Sequence, residues 1–124
     1  MKHRPAPLAI AACLAATLLG SSVAFAQDAA VVNAATVKVV IDNARVRVLE
    51  ATIPPGGKEN PHSHPATVIH VIEGGKARNH VGDQVGETEL VAGQTLYREP
   101  TTHWAENIGT TTIHLILVEL KEQP

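Results

Sequence analysis

The chain has 124 residues, 44% of them hydrophobic, 18% charged and 2% aromatic. Its apolar fraction and moderate charge exclude a disordered chain, and its length allows one domain. A formal net charge of -2, with no basic cluster beyond Arg4, excludes a nucleic-acid binder, and a single apolar stretch at the N-terminus excludes a multi-span membrane protein.

That stretch comes first in chain order. Lys2, His3 and Arg4 make a positive start, Leu8 to Leu19 is an apolar run, and Ala24-Phe25-Ala26 puts small residues where a signal peptidase reads them. The pattern predicts a secretory signal peptide over residues 1–26, cleaved after Ala26, and so a periplasmic or secreted protein with no membrane attachment after cleavage. The apolar run is short of the roughly 20 residues of a spanning helix. Cys13 is the only cysteine and leaves with the leader, so the mature chain has neither a disulfide nor a thiolate ligand. Loss of Lys2 and Arg4 moves the formal net charge from -2 to -4.

Residues 27–35 are small and polar and read as a flexible lead to one domain over residues 36–124. Thr36 to Ile41 is a Val-rich strand, and Arg45 to Glu50 alternates charged and apolar residues with the period of a half-buried strand. Pro54-Pro55-Gly56-Gly57 is a turn. Val68 to Ile72 is an apolar strand closed by Gly74-Gly75. Lys76 to Val81 and Glu87 to Val91 flank a polar loop with Gly82-Asp83 and Gly86. Gln94 to Arg98 is a short strand stopped at Pro100, and Ile113 to Leu120 is a long β-branched and Leu run. No segment carries a sustained 3.6-residue stripe. Short strands with Gly/Pro punctuation predict an all-β sandwich or barrel.

Six histidines remain after the leader: His62, His64, His70, His80, His103 and His114. His62 and His64 are separated by one residue, so on a strand they project from the same face. Two imidazoles so placed can grip one metal ion, and Pro61 and Pro65 stiffen the segment.

The spacing Gly56-x5-His62-x-His64-x3-Val68-x6-Gly75 resembles the first motif of the cupin family, Gly-x5-His-x-His-x(3,4)-Glu-x6-Gly, with Val68 in place of the glutamate. Gly93, Pro100, His103 and Asn107 resemble the second motif, Gly-x5-Pro-x-Gly-x2-His-x3-Asn, with one extra residue before Pro100 and Thr102 where glycine is usual. More closely, the run looks like small single-domain cupins, some of them assigned to beta-alanine degradation. The resemblance implies a single-domain, cupin-like, RmlC-like jelly-roll β-barrel. It also implies a divalent metal (iron, zinc, nickel, manganese or copper) held by His62, His64 and His103, a small-molecule ligand or substrate, and a homodimer. The chemistry is then that of a non-haem oxygenase, an isomerase or a hydrolase, or the barrel binds a small ligand or metal without catalysis.

Val68 cannot coordinate. Three neutral imidazoles still make a viable site with an open position, of raised Lewis acidity. His70 shares Val68's face on a regular strand. It is therefore either a fourth ligand or acid–base group inside the barrel, or an outward or packed histidine if the register is shifted. Glu59 and Glu99 lie near the site-forming loops and either act from behind the metal ligands or, the first expectation for both, sit at the surface. Trp104 is expected on the face opposite His103, His80 in solvent, and His114 in a structural role. Arg45, Arg47 and Arg78 face either solvent or the barrel lining, where an arginine would suit a carboxylate substrate.

Overall fold

The structure, a computed structural model, describes residues 27–122; the leader at 1–26 and residues 123–124 lie outside the described residues. A short helix α1 (Ala29–Val32) precedes nine strands: β1 (Val37–Asp42), β2 (Val46–Ile53), β3 (His62–His64), β4 (Thr67–Glu73), β5 (Gly75–Val81), β6 (Gln84–Leu90), β7 (Thr95–Arg98), β8 (Thr101–Asn107) and β9 (Ile113–Leu120). They form two antiparallel sheets, ordered β1-β2-β9-β4-β7 and β3-β8-β5-β6. This is the expected all-β jelly roll, with its two sheets laid face to face rather than closed into one barrel.

The expected strands are present, several extended by a residue or more. Two features differ. Thr101–Asn107, a run without clear alternation, is a full strand because it pairs with both β3 and β5. The polar loop after β5 is smaller than expected: Val81 pairs with Gln84, leaving a two-residue Gly82-Asp83 hairpin turn and placing Gly86 inside β6. The Pro54–Gly57 turn closes by a Gly57 N–H to Pro54 carbonyl bond of 2.8 Å, and Gly56 supplies the positive φ of 76°. Gly74 is a site of close approach, since a Cβ there would lie 2.1 Å from the Leu90 carbonyl oxygen.

The core lies between the sheets. Leu49 and Ala51 of β2, Ile69 and Val71 of β4, and Ile113 and Leu117 of β9 are all buried there. Apolar residues also form a continuous row on the outer face of the five-stranded sheet, because Ile41 pairs with Val48, Val48 with Val118, Val118 with Val68 and Val68 with Tyr97.

The expected flexible lead is instead folded. Asp28 caps α1 by accepting from the Ala30 N–H at 2.9 Å and bonds Arg47 at 2.9 Å, while Ala29 is buried in the core. Arg47 also holds the Asp28 carboxyl below its ordinary range. A stretch of small residues is cheap to bury against a sheet end, and one cap with one ion pair anchors it. Residues 28–33 therefore pack as part of the folded unit.

Asn107 ties the turn region together. Its amide donates to the Ile53 carbonyl at 2.9 Å and the Thr111 carbonyl at 2.7 Å, and its carbonyl accepts from the Gly109 N–H at 3.0 Å. Asn107→Ala would leave these buried backbone groups unpaired. The expected loss is about 2 kcal/mol of unfolding free energy, read by urea titration; a loss under about 0.5 kcal/mol would mean that water replaces the amide.

Candidate metal centre

β3 and β8 are neighbours, and their register sets His62 directly opposite His103. His62 and His64 share the inner face of β3, and all three rings are buried, at 2%, 8% and 7% exposure for His62, His64 and His103. Ring centroids are 4.7 Å apart for His62–His64 and for His62–His103, and 5.4 Å for His64–His103. One ring nitrogen from each lies within 4.8 Å of the other two. The trio named from the sequence thus forms one cluster.

The ring nitrogens behind the cluster are engaged. His62 Nδ1 lies 2.7 Å from the Asn60 carbonyl and 3.1 Å from Asn33 Nδ2, while His64 Nδ1 donates to Glu119 Oε1 at 2.6 Å and His103 Nδ1 to Asn79 Oδ1 at 2.5 Å. The Glu119 and Asn79 oxygens place the proton of His64 and His103 on Nδ1 and leave their Nε2 lone pairs free, whereas His62 Nδ1 has both an acceptor and a donor beside it and suits either tautomer. His62 Nε2 and His64 Nε2 are only 2.9 Å apart, and His103 Nε2 is buried with no hydrogen-bond partner. With its proton on Nε2, His62 hydrogen-bonds His64; with its proton on Nδ1, the ring nitrogens face one another as lone pairs, an arrangement that suits a cation between them. Backing of ring N–H groups by oxygen acceptors is also how metal-binding histidines are usually oriented. Burial pushes His103 down to about 3 and His62 below its ordinary value, which keeps both in the neutral, ligating form. The cluster is compatible with a divalent metal, and nitrogen ligands alone leave its identity open.

Glu119 was not singled out from the sequence. It is 4% exposed at the end of β9, with Arg47 3.7 Å from its other oxygen. Asn79 of β5 and Asn33 after α1 were missed as well. Asn33 accepts from the Asn60 N–H at 2.7 Å and so steadies the segment that orients His62.

His70 lies elsewhere. β4 turns Thr67, Ile69 and Val71 inward and exposes His70, whose Nδ1 is 2.9 Å from Thr95 Oγ1. Val68 and His70 do share a face, as expected, but it is the outer face, so His70 is neither a fourth ligand nor an acid–base group of this cluster. The family pattern also allows four residues before its glutamate. That spacing reaches Ile69, which lines the cavity beside the histidines. The position is apolar under either spacing.

The other histidines are peripheral. His80 is stacked on Trp104 at 3.5 Å, with Lys58 4.2 Å from the indole centroid, and His114 Nε2 is 2.7 Å from Glu50. Trp104 points away from His103, as its parity required, and Glu99 is exposed as expected.

Glu59 was expected on the surface and is instead 7% exposed, lining the same cavity as the three histidines. It sits just before β3, where its own N–H donates to the Ala105 carbonyl at 2.9 Å and turns the side chain inward. Burial pushes its carboxyl up to about 7, against a smaller opposing pull from Arg98. Arg98, at the end of β7, also lines the cavity, and its charge bears on Glu59, His62 and His103. The arginines weighed from the sequence do not. Arg45 is exposed, Arg47 pairs with Asp28 and Glu119, and Arg78 pairs with Glu87 and Glu106. The cavity holds about 100 Å³, and its remaining wall is mostly Leu, Ile and Ala.

A family model described as a cupin domain matches residues 49–119, which contain all three clustered histidines. No curated protein matches the sequence. Among solved structures, a cupin domain from Bordetella pertussis is 28% identical with a TM-score of 0.65, over 69% of this chain and 92% of its own. A conserved protein with a double-stranded β-helix domain from Klebsiella pneumoniae is 25% identical with a TM-score of 0.56, over 67% of this chain and 73% of its own. An RmlC-like cupin from Methanocaldococcus jannaschii, 16% identical with a TM-score of 0.57 over 68% of this chain and 77% of its own, shares the fold. With its two sheets, its three-histidine cluster and a matching family model, the chain belongs to the cupin family.

Proposed function

We propose that the protein is an exported, metal-dependent cupin enzyme acting on a small molecule, with a divalent ion held by His62, His64 and His103. The observation that carries this reading is the convergence of three Nε2 atoms whose Nδ1 partners are already engaged. A bound divalent ion supplies Lewis acidity, which polarises a substrate or activates water. Export rests on the leader pattern of residues 1–26.

Catalysis is favoured over simple binding by Glu59. A bare apolar pocket would suit a binding module. Here a buried carboxyl that titrates near neutrality shares the cavity with the histidines and can accept or return a proton at its carboxylate oxygen.

Elemental analysis of protein purified from the periplasm tests the reading, beside a His62→Ala/His103→Ala double variant. Near-stoichiometric metal in the wild type and its loss in the variant are expected. If the folded wild type takes up no iron, zinc, nickel, manganese or copper even after loading, the metalloenzyme reading fails and a ligand-binding barrel remains.

A further inference from the structure

Arg98 is anomalous among the arginines. It is half-buried and lines the cavity, yet among the described residues its side chain makes no hydrogen bond and no ion pair within 4.0 Å. None of its nitrogens is both fully buried and unpartnered, so the guanidinium faces the cavity while keeping contact with water and is open to an anion. Glu59 is the nearest candidate for that role and does not fill it. A carboxylate paired with arginine is held below its ordinary range, whereas burial drives Glu59 upward. The cavity's other carboxyl, Glu106, is taken up by Arg78 and His80, so Arg98 is left as a cation whose planar fork fits a carboxylate.

The size of the space narrows the anion. An apolar cavity of about 150 Å³ takes benzene, with six heavy atoms. About 100 Å³ has room for roughly four to six heavy atoms on that scale. Monocarboxylates of two to four carbons have that many. The Leu, Ile and Ala walls suit their methylene groups, and a single guanidinium balances one charge better than the two of a phosphate.

We propose that the cavity takes a short-chain monocarboxylate of about two to four carbons, its carboxylate on Arg98 and its other end turned toward the three imidazoles. This assignment rests on the small-molecule reading above and gives that molecule a chemical class. Arg98 is then a specificity residue, selecting acids over the corresponding amides and alcohols.

The test titrates the purified protein with acetate, propionate, butyrate, hexanoate, propionamide and inorganic phosphate, following the Arg98 Nε–H resonance by NMR and heat by calorimetry. Propionate or butyrate should bind and move that resonance. Propionamide, hexanoate and phosphate should bind roughly tenfold or more weakly. Arg98→Met should lose roughly tenfold or more in propionate affinity. Arg98→Lys, which keeps the charge and guards against a folding artefact, should fall between. Equal binding of acid and amide, a preference for phosphate, or unchanged propionate affinity in a folded Arg98→Met variant overturns the assignment. Metal content measured on the same samples separates the two readings. Bound metal with no propionate response sinks the carboxylate and spares the three-histidine site. A propionate response through Arg98 in protein that takes up no metal even after loading supports the carboxylate and sinks the metal.

Discussion

Glu119→Ala should damage both the fold and the metal centre. Glu119 is buried, holds His64 Nδ1 at 2.6 Å and lies 3.7 Å from Arg47. Removing one partner of a buried charged network typically costs about 3–5 kcal/mol, because the groups left behind lose solvation without compensation. Arg47 keeps Asp28 at 2.9 Å, so the low end, about 3 kcal/mol, is expected. Without its acceptor the His64 ring is free to turn or to change tautomer, and metal affinity should fall by roughly 10–100-fold. Glu119→Gln should recover most of the stability, since its amide oxygen still accepts from Nδ1, and only part of the affinity, since the negative charge is gone. Chelator-competition titration and thermal melts read the two effects. Wild-type affinity in Glu119→Ala would show that β3 alone orients His64.

Glu59→Gln should act in the opposite sense on stability. The unfolded chain releases the Glu59 proton near its ordinary value of 4.5, and the folded chain keeps it to about 7. Between those values the native state binds more protons than the unfolded state, so rising pH weakens the fold. Below the ordinary value the effect vanishes, and above pH 7 it reaches about 3 kcal/mol. The groups that set it are the buried cavity wall and, with opposite sign, Arg98 on β7; His62 on β3 and His103 on β8 face the same space and stay neutral. Gln cannot ionise. In chelator-treated protein at pH 8, Glu59→Gln should therefore gain about 3 kcal/mol, a Tm rise on the order of 10 °C, with little change at pH 4. Any enzymatic turnover would be lost with the carboxylate, the usual conflict between stability and a working site. An equal gain at both pH values would mean that the effect is packing and not ionisation.

The all-β class and the His62–His64 pair were legible in the residues because both rest on local spacing, while the jelly roll and His103 came with the resemblance to the cupin motifs. Gly/Pro punctuation bounds the strands, and His62-x-His64 shares a face whatever surrounds it. The two motifs added His103 to that pair, and β3–β8 pairing sets it opposite His62. The orientation of β4 and β9 was not legible. Thr67–Glu73 and Ile113–Leu120 carry apolar side chains on both faces, so alternation gives no parity. His70 therefore stayed open in the sequence and Glu119 unseen. Only the pairing of β9 between β2 and β4 turns Glu119 inward and His70 outward.

The rest of the cavity is a property of tertiary structure for a similar reason. Glu59, Asn79 and Arg98 are ordinary polar residues in a linear reading, and Asn33 sits in a stretch with no periodicity. They meet the histidines through contacts between segments distant in the chain, such as Asn79 with His103 and Asn33 with Asn60. The sequence by itself determined the all-β class and the His62–His64 pair, since strand period and local spacing are encoded residue to residue, and its resemblance to the cupin motifs added the jelly roll and His103. Tertiary packing alone decided which carboxyl is buried, which arginine lacks a partner and which side of each strand faces inward. Burial and charge pairing do not exist until the two sheets close on each other.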